Sequence, residues 1–304
     1  MVVVQPIEAG RTGLVAYTRF APGCAYRAPQ QGVGVTSRWF AGIRVSLTTF
    51  EELLAAVAQT LDGAGRLRVT FLNPDYARRA LLDPRLRADI NAFHIVAVDG
   101  NGVRLLAPLF GFTVPERVDT DRFAPHLFRL LAERRGRLFL FGCAPGVADE
   151  AGRRLAAAFP GLRVVGTEHG YHDVQRGHPG RFEARDSERI VAAVNGCRPD
   201  VLLVSLPTPL QQRWVAEHGD SLTIPLVLTG GSYLDHAAAG TAGSWYPRWA
   251  DALRLNWFYR LMRQPRRLWR RYTVEIAHFV LLVLRARLVH QHGPVTTAAD
   301  WSRD

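Results

Sequence analysis

The order of apolar runs in this 304-residue sequence predicts a doubly wound α/β fold. Three observations carry that expectation. From about residue 40, short apolar runs of strand length alternate with segments of helical period. Glycine, proline, asparagine or aspartate stands at nearly every junction. The last fifty residues then change character, to arginine interleaved with large apolar side chains. Strands alternating with helices at this spacing imply right-handed βαβ units, and so a Rossmann-like, mostly parallel sheet covered on both faces.

The elements follow in order. Residues 1–40 are rich in Gly, Pro, Gln and Arg with no sustained period and read as an irregular N-terminal extension. In LTTFEELLAAVAQTLDG, Thr48 or Thr49 supplies an N-cap and Glu51 or Glu52 completes a capping box. Phe50, Leu53, Leu54, Val57 and Leu61 form the inward stripe, and Gly63 ends the helix. Then come RLRVTFL before PDYARRALL, HIVAVDG before GVRLLAPLF, RLFLFG before VADEAGRRLAAAF, LRVVGTEHG before SERIVAAVNG, VLLVSL before LQQRWVAEHG, and IPLVLTGG. The spacing places one α/β domain at 41–245, a basic helical appendage at 246–290 and a tail at 291–304.

Composition narrows the partners. Nearly half the residues are hydrophobic, enough for a sizeable core, and a formal charge of +11 calls for a polyanion: phosphate-bearing substrate, nucleic acid or anionic lipid. Every cation is arginine; a GC-rich genome accounts for that, so single arginines carry little weight. Three cysteines without CxxC spacing suggest neither a disulfide framework nor a zinc site, and fit a reducing cytosol. The opening MVVVQPIEAGRTG lacks the pattern of a signal peptide, and FVLLVL at 279–284 is far too short to span a bilayer.

In doubly wound folds ligands bind outside the carboxyl ends of the strands, which makes the residues just after each run the candidates. Thr70 and Asn73 follow the first run; Asn73 before Pro74 reads equally as a helix N-cap. Asp99 follows the second, placed to take a proton from a hydroxyl nucleophile, or else to cap the next helix. Gly142 and Gly146 bracket a strand-to-helix turn with the shape of a phosphate cradle, though without a full glycine fingerprint or a P-loop lysine. His169, Tyr171 and His172 follow the next run, and Gln211 and Gln212 the one after. His169 and His172 have metal-ligand spacing but no evident third ligand. Asp119-Thr120-Asp121 is a literal DxD, read here as a solvated turn or an N-cap rather than a cation site.

Taken in order, VTFLNPDY, VAVDGNGV, PERV, LFLFGCAPGVADEAGRRLAAAFPGLRVVGTEHGY, RPDVLLVSLPTPLQQRW, TGGSYLD and LNWFYRLMRQPRRLWRRY resemble the WecG/TagA/CpsF glycosyltransferases of bacterial surface-polysaccharide synthesis, over about 40–272. The resemblance implies an inverting transfer of a sugar from a UDP-sugar to a polyprenyl-diphosphate-linked saccharide, with no cofactor and no metal. It implies Asp99 as catalytic base and Thr70, Asn73 and Gln211 on the substrate side. Gly142, Gly146 and Tyr171, with Asp235 of TGGSYLD, fall on the nucleotide side. The sequence departs from the family pattern at Gln212, where a glutamate is usual, at RVDTD, and at an extra residue before Asp235.

The appendage holds Arg260, Arg263, Arg266, Arg267, Arg270 and Arg271 between residues 260 and 271, with apolar positions recurring every three or four residues through 283. That is a solvated basic face over a packed stripe, or an interfacial helix on anionic lipid. Beside the implied transferase, the second reading makes the protein peripheral on the inner face of the plasma membrane, with Arg260 and Arg267 reaching toward a diphosphate. No nucleic-acid-binding motif is present, so a nucleic-acid partner is not expected. A catalytically weakened assembly subunit is the other alternative, and self-association is left open.

Overall fold

The structure is a computed structural model and describes residues 35–63, 65–172, 182–240, 262 and 269–291. Arg260, Arg267 and most of the arginine-aromatic stretch lie outside these residues. Six strands form one parallel sheet: β3 (Leu67–Leu72), β4 (Ile95–Val98), β5 (Arg137–Gly142), β6 (Arg163–Glu168), β7 (Val201–Ser205) and β8 (Leu226–Thr229), in the order β4-β3-β8-β7-β5-β6. A two-stranded antiparallel hairpin, β1 (Ser37–Phe40) and β2 (Ile43–Ser46), precedes them. The extension read as irregular to residue 40 therefore ends in a strand, whose four residues are too short a run to show a period.

Side-chain alternation divides the sheet residues into two cores. Leu72, Val96, Val98, Phe139, Phe141, Leu202 and Val204 face one way, onto α2 (Pro74–Leu82), α3 (Pro84–Asn91), α7 (Ala184–Cys197) and α8 (Leu210–His218). Val69, Phe71, Ile95, Ala97, Leu138, Leu140, Leu203 and Leu228 face the other way, onto α1 (Phe50–Leu61), α5 (Thr120–Glu133), α6 (Val147–Ala158) and α9 (Tyr233–Ala238). With both faces covered, the strands have little need of polar residues, hence the continuous apolar runs. Steps toward the β4 edge (β3 to β4, β6 to β7, β7 to β8) use helices of the first face. Steps toward the β6 edge (β4 to β5, β5 to β6) use the second. A single crossover hand requires that division.

The helix termini follow local chemistry. Thr49 caps α1, and Glu52 returns the bond to complete the capping box. Asn73 caps α2, its side chain accepting from Tyr76 N–H at 3.0 Å with Pro74 in the first turn. Asp119 caps α5 by accepting from Arg122 N–H at 3.0 Å, which settles the DxD triplet as a helix start. GVRLLAPLF divides into α4 (Asn101–Leu106) and a 3-10 turn, Ala107–Phe110.

The last described helix, α10 (Ile276–Gln291), is not set apart from the sheet domain. Phe279 and Val283 are buried in the first core, and Phe279 packs 6.3 Å from the ring of Phe40. Arg78 of α2 bridges Asp75 at 3.0 Å and Glu275, just before α10, at 3.7 Å. The outer side of α10 exposes Leu281, Leu284, Leu288 and Val289 beside Arg285. Among the described residues no helix is long and apolar enough to cross a membrane.

Candidate active site

The carboxyl ends of the strands bring the candidates to one rim of the sheet. Leu72 and Val98 are register partners, so Asn73 and Asp99 leave neighbouring strands side by side. The Asp99 N–H donates to the Leu72 carbonyl at 2.9 Å. Gly100, with φ +96°, is the residue that caps α4, and it does so without a side-chain bond. Gly100 rather than Asp99 thus occupies the N-cap position of α4, and half-buried Asp99 stands at the end of the edge strand. Val118 N–H donates to the Val98 carbonyl at 3.0 Å, which lays Arg117 and Asp119, themselves paired at 2.7 Å, along the end of the same strand. Sequence reasoning passed over Arg117. Its position inside PERV, ahead of the acidic pair, was the available signal.

Thr70 lies deeper than a pocket-lining residue would. It is 1 % exposed, and its hydroxyl accepts from Thr229 at 2.9 Å, joining β3 to the last strand β8. Gln211 is equally buried and joins the segments that follow three strands: its Nε2 donates to the Tyr76 hydroxyl at 2.6 Å, and its Oε1 accepts from Gly231 N–H at 3.2 Å. Both ends of the amide hold the rim together. Gln212 is fully buried, and neither of its amide atoms has a hydrogen-bond partner among the described residues. A carboxylate at that position would need a counter-charge that a neutral amide does not.

The glycine turn has two different halves. A β-carbon on Gly142, at φ +136°, would sit 2.0 Å from the Ser205 carbonyl oxygen, so this glycine allows β5 and β7 to close against each other. Gly146, at φ +82°, faces open space at the start of α6. It lines a cleft of about 190 Å³ with Ala148, Asp149, Thr167, Glu168 and His169. Only the second half presents itself to a ligand. Tyr171, 71 % exposed, stands in the next loop. Asp235 is exposed in the first turn of α9. Burial first, and then the Asp235 charge, push the Cys143 thiol up to about 12 and keep it protonated. A larger hollow of about 390 Å³, lined by residues such as Phe50, Glu116 and His126, contains none of the candidates.

The His169/His172 pair does have a third group. Glu168, the last residue of β6, places its carboxylate 3.2 Å from His172 Nε2 and 3.9 Å from His169 Nε2. The expectation of no third ligand overlooked the residue immediately before the pair.

The family model for the glycosyl transferase WecG/TagA/CpsF family matches residues 38–293. The chain belongs to this glycosyltransferase family. Curated relatives share modest identity over most of their length. An N-acetylglucosaminyldiphosphoundecaprenol N-acetyl-beta-D-mannosaminyltransferase of Bacillus spizizenii is 24% identical over 217 residues, 71% of this chain and 78% of the relative. The protein of the same name from Bacillus subtilis is 22% identical over the same shares. One from Staphylococcus aureus is 21% identical over 227 residues, 74% of this chain and 83% of its own. The match reaches residue 293 and so includes α10, in agreement with its packing against the sheet domain.

Proposed function

We propose that this family member moves a sugar, with inversion, from a UDP-sugar to a polyprenyl-diphosphate-linked saccharide, with Asp99 as general base. The observation that carries the reading is the pairing of Asp99 with Asn73 at the ends of β4 and β3. There a half-buried carboxylate at the end of the edge strand can meet an acceptor hydroxyl while the neighbouring amide orients it. The nucleotide half would lie over the other side of the rim. From β4 to β5 is four strand spacings, about 19 Å, a distance an extended nucleotide sugar can bridge. The anomeric carbon carries the diphosphate, which therefore stays close to Asp99, and Gly146 at the start of α6 with exposed Tyr171 would meet the uridine end of the donor. Attack by the deprotonated hydroxyl on the anomeric carbon expels the nucleoside diphosphate directly, with no covalent enzyme intermediate. The curated relatives are named for the same class of lipid-linked acceptor.

Because such an acceptor is anchored in the bilayer, the protein would work as a peripheral protein on the cytoplasmic face of the membrane. The outer side of α10, with exposed Leu281, Leu284 and Leu288 beside Arg285, suits an anionic lipid surface. Arg260 and Arg267 remain proposed diphosphate contacts. A panel of UDP-sugars offered with synthetic polyprenyl-diphosphate glycans, read by mass spectrometry, tests the reading. A glycan extended by one sugar supports it, and no transfer from any UDP-sugar in the panel counts against it.

A further inference from the structure

We propose that Glu168, His169 and His172, at the carboxyl end of β6, form a binding site for a zinc-type divalent cation. One carboxylate and two imidazoles are the donor set of three-ligand zinc sites, whereas magnesium and calcium call for oxygen donors throughout. The spacing is already close to what such an ion needs. Ligand atoms about 2.0–2.1 Å from a tetrahedral zinc lie roughly 3.4 Å from one another. The Glu168 carboxylate oxygen is 3.2 Å from His172 Nε2 and 3.9 Å from His169 Nε2, and the three ligand atoms all fall within 4.8 Å of one another.

The surroundings hold these groups in place. The His169 and His172 rings stack with centroids 4.4 Å apart. Phe182 meets the His172 ring edge-on at 5.4 Å, and Phe141 backs it at 6.5 Å. Arg189 donates to both carboxylate oxygens of Glu168, at 3.0 and 3.4 Å, and fixes the orientation of the carboxylate as an outer partner does in metal sites. His172 Nε2 now lies 2.7 Å from the His169 carbonyl oxygen, and that contact would be exchanged for the metal bond.

Glu168 and His169 also line the cleft at the start of α6, so the fourth coordination position can be reached from it. The cation would stand about 24 Å, five strand spacings, from Asp99 and would have no part in removing the acceptor proton.

Cobalt(II) titration of the full-length, tag-free, chelator-treated protein tests the site, with visible absorption reporting a tetrahedral ion and calorimetry following zinc(II). One equivalent is expected to bind, with at least hundredfold weaker affinity in His172→Phe and Glu168→Gln and roughly 10- to 100-fold weaker affinity in Arg189→Met. Thermal melts of each variant confirm that it is folded, and His126→Gln, in the hollow that holds none of these residues, should bind as the parent does. No cobalt band, or unchanged affinity in His172→Phe, overturns the site. Failure of UDP to bind with or without metal counts against the transferase reading and leaves the cation site standing.

Discussion

Phe279 packs its ring edge 3.5 Å from the point where a β-carbon on Gly102 would lie, while Pro74 comes within 2.7 Å of the same point. Gly102 is three residues beyond Asp99, and Pro74 is the residue after Asn73. A single aromatic from the C-terminal helix thus wedges the two helices that begin at the candidate base and its neighbour. Removing the ring should cost stability and turnover together. Phe279→Ala is expected to lose about 3–5 kcal/mol in denaturant unfolding, and Phe279→Leu should recover most of the turnover.

Asp99→Asn keeps the shape of the side chain and removes the proton acceptor. Turnover should fall by about 10²- to 10⁴-fold. UDP affinity by calorimetry should stay within error of the parent, because the nucleotide-side groups lie four strands away. Near-normal turnover in this variant would remove Asp99 from the mechanism.

The buried Thr70–Thr229 hydroxyl pair makes a signed prediction. Either single valine substitution strands a hydroxyl and should cost about 1–3 kcal/mol, whereas the double valine variant should lie close to the parent. A thermodynamic cycle measured by urea unfolding would show the coupling. If the two losses simply added, the hydroxyls would not be partners.

Gly142 and Gly146 should separate under the same substitution. Gly142→Ala drives a β-carbon into the Ser205 backbone and should give little folded protein on expression. Gly146→Ala meets open space and carries only the left-handed backbone cost, about 1–2 kcal/mol. It should therefore fold, and any effect on UDP affinity can be read cleanly.

His94 gives stability a pH dependence. Its Nδ1 accepts from the Arg68 N–H at 3.0 Å, and burial, followed by the charges of Arg68 and Arg44, lowers its pKa from 6.5 to about 4. Between those values the unfolded chain binds the proton and the folded one does not, so stability rises with pH across the window. The contribution is complete above about pH 6.5 and is lost as the pH falls toward 4; partial exposure of the ring keeps it to roughly 1–3 kcal/mol. Unfolding at pH 4.5 and 7.5 should show this difference in the parent and a smaller one in His94→Gln.

Much of the architecture was legible because both cores write themselves into the sequence. Strands buried on two faces must be continuously apolar, and helices between them must show a 3.6-residue stripe, so the βαβ order could be read directly. Caps such as Thr49, Asn73 and Asp119 were legible because their chemistry is local. The rim was less so. That Gln211 would be consumed on Tyr76 and Gly231, or that Gly142 would serve strand packing, depends on partners up to 135 residues away that no spacing rule connects. The C-terminal end was less legible for a related reason: the arginines of 260–271 and the apolar stripe that continues to 283 described an appendage, whereas Phe279 and Val283 of α10 lie in the core beside α2 and α4.

The strand order has a consequence for how the protein is made. Among the described residues β8 is the last strand to leave the ribosome, yet it sits in the middle of the sheet, between β3 and β7. Until it arrives, those two strands each present an open edge, and neither the Thr70–Thr229 bond nor the Gln211–Gly231 bond can form. A nascent chain ending near residue 225 would therefore hold two half-sheets with sticky borders. Sheet closure and assembly of the rim thus become one late event in synthesis, and release of the chain before that point would yield aggregate rather than a partly active enzyme.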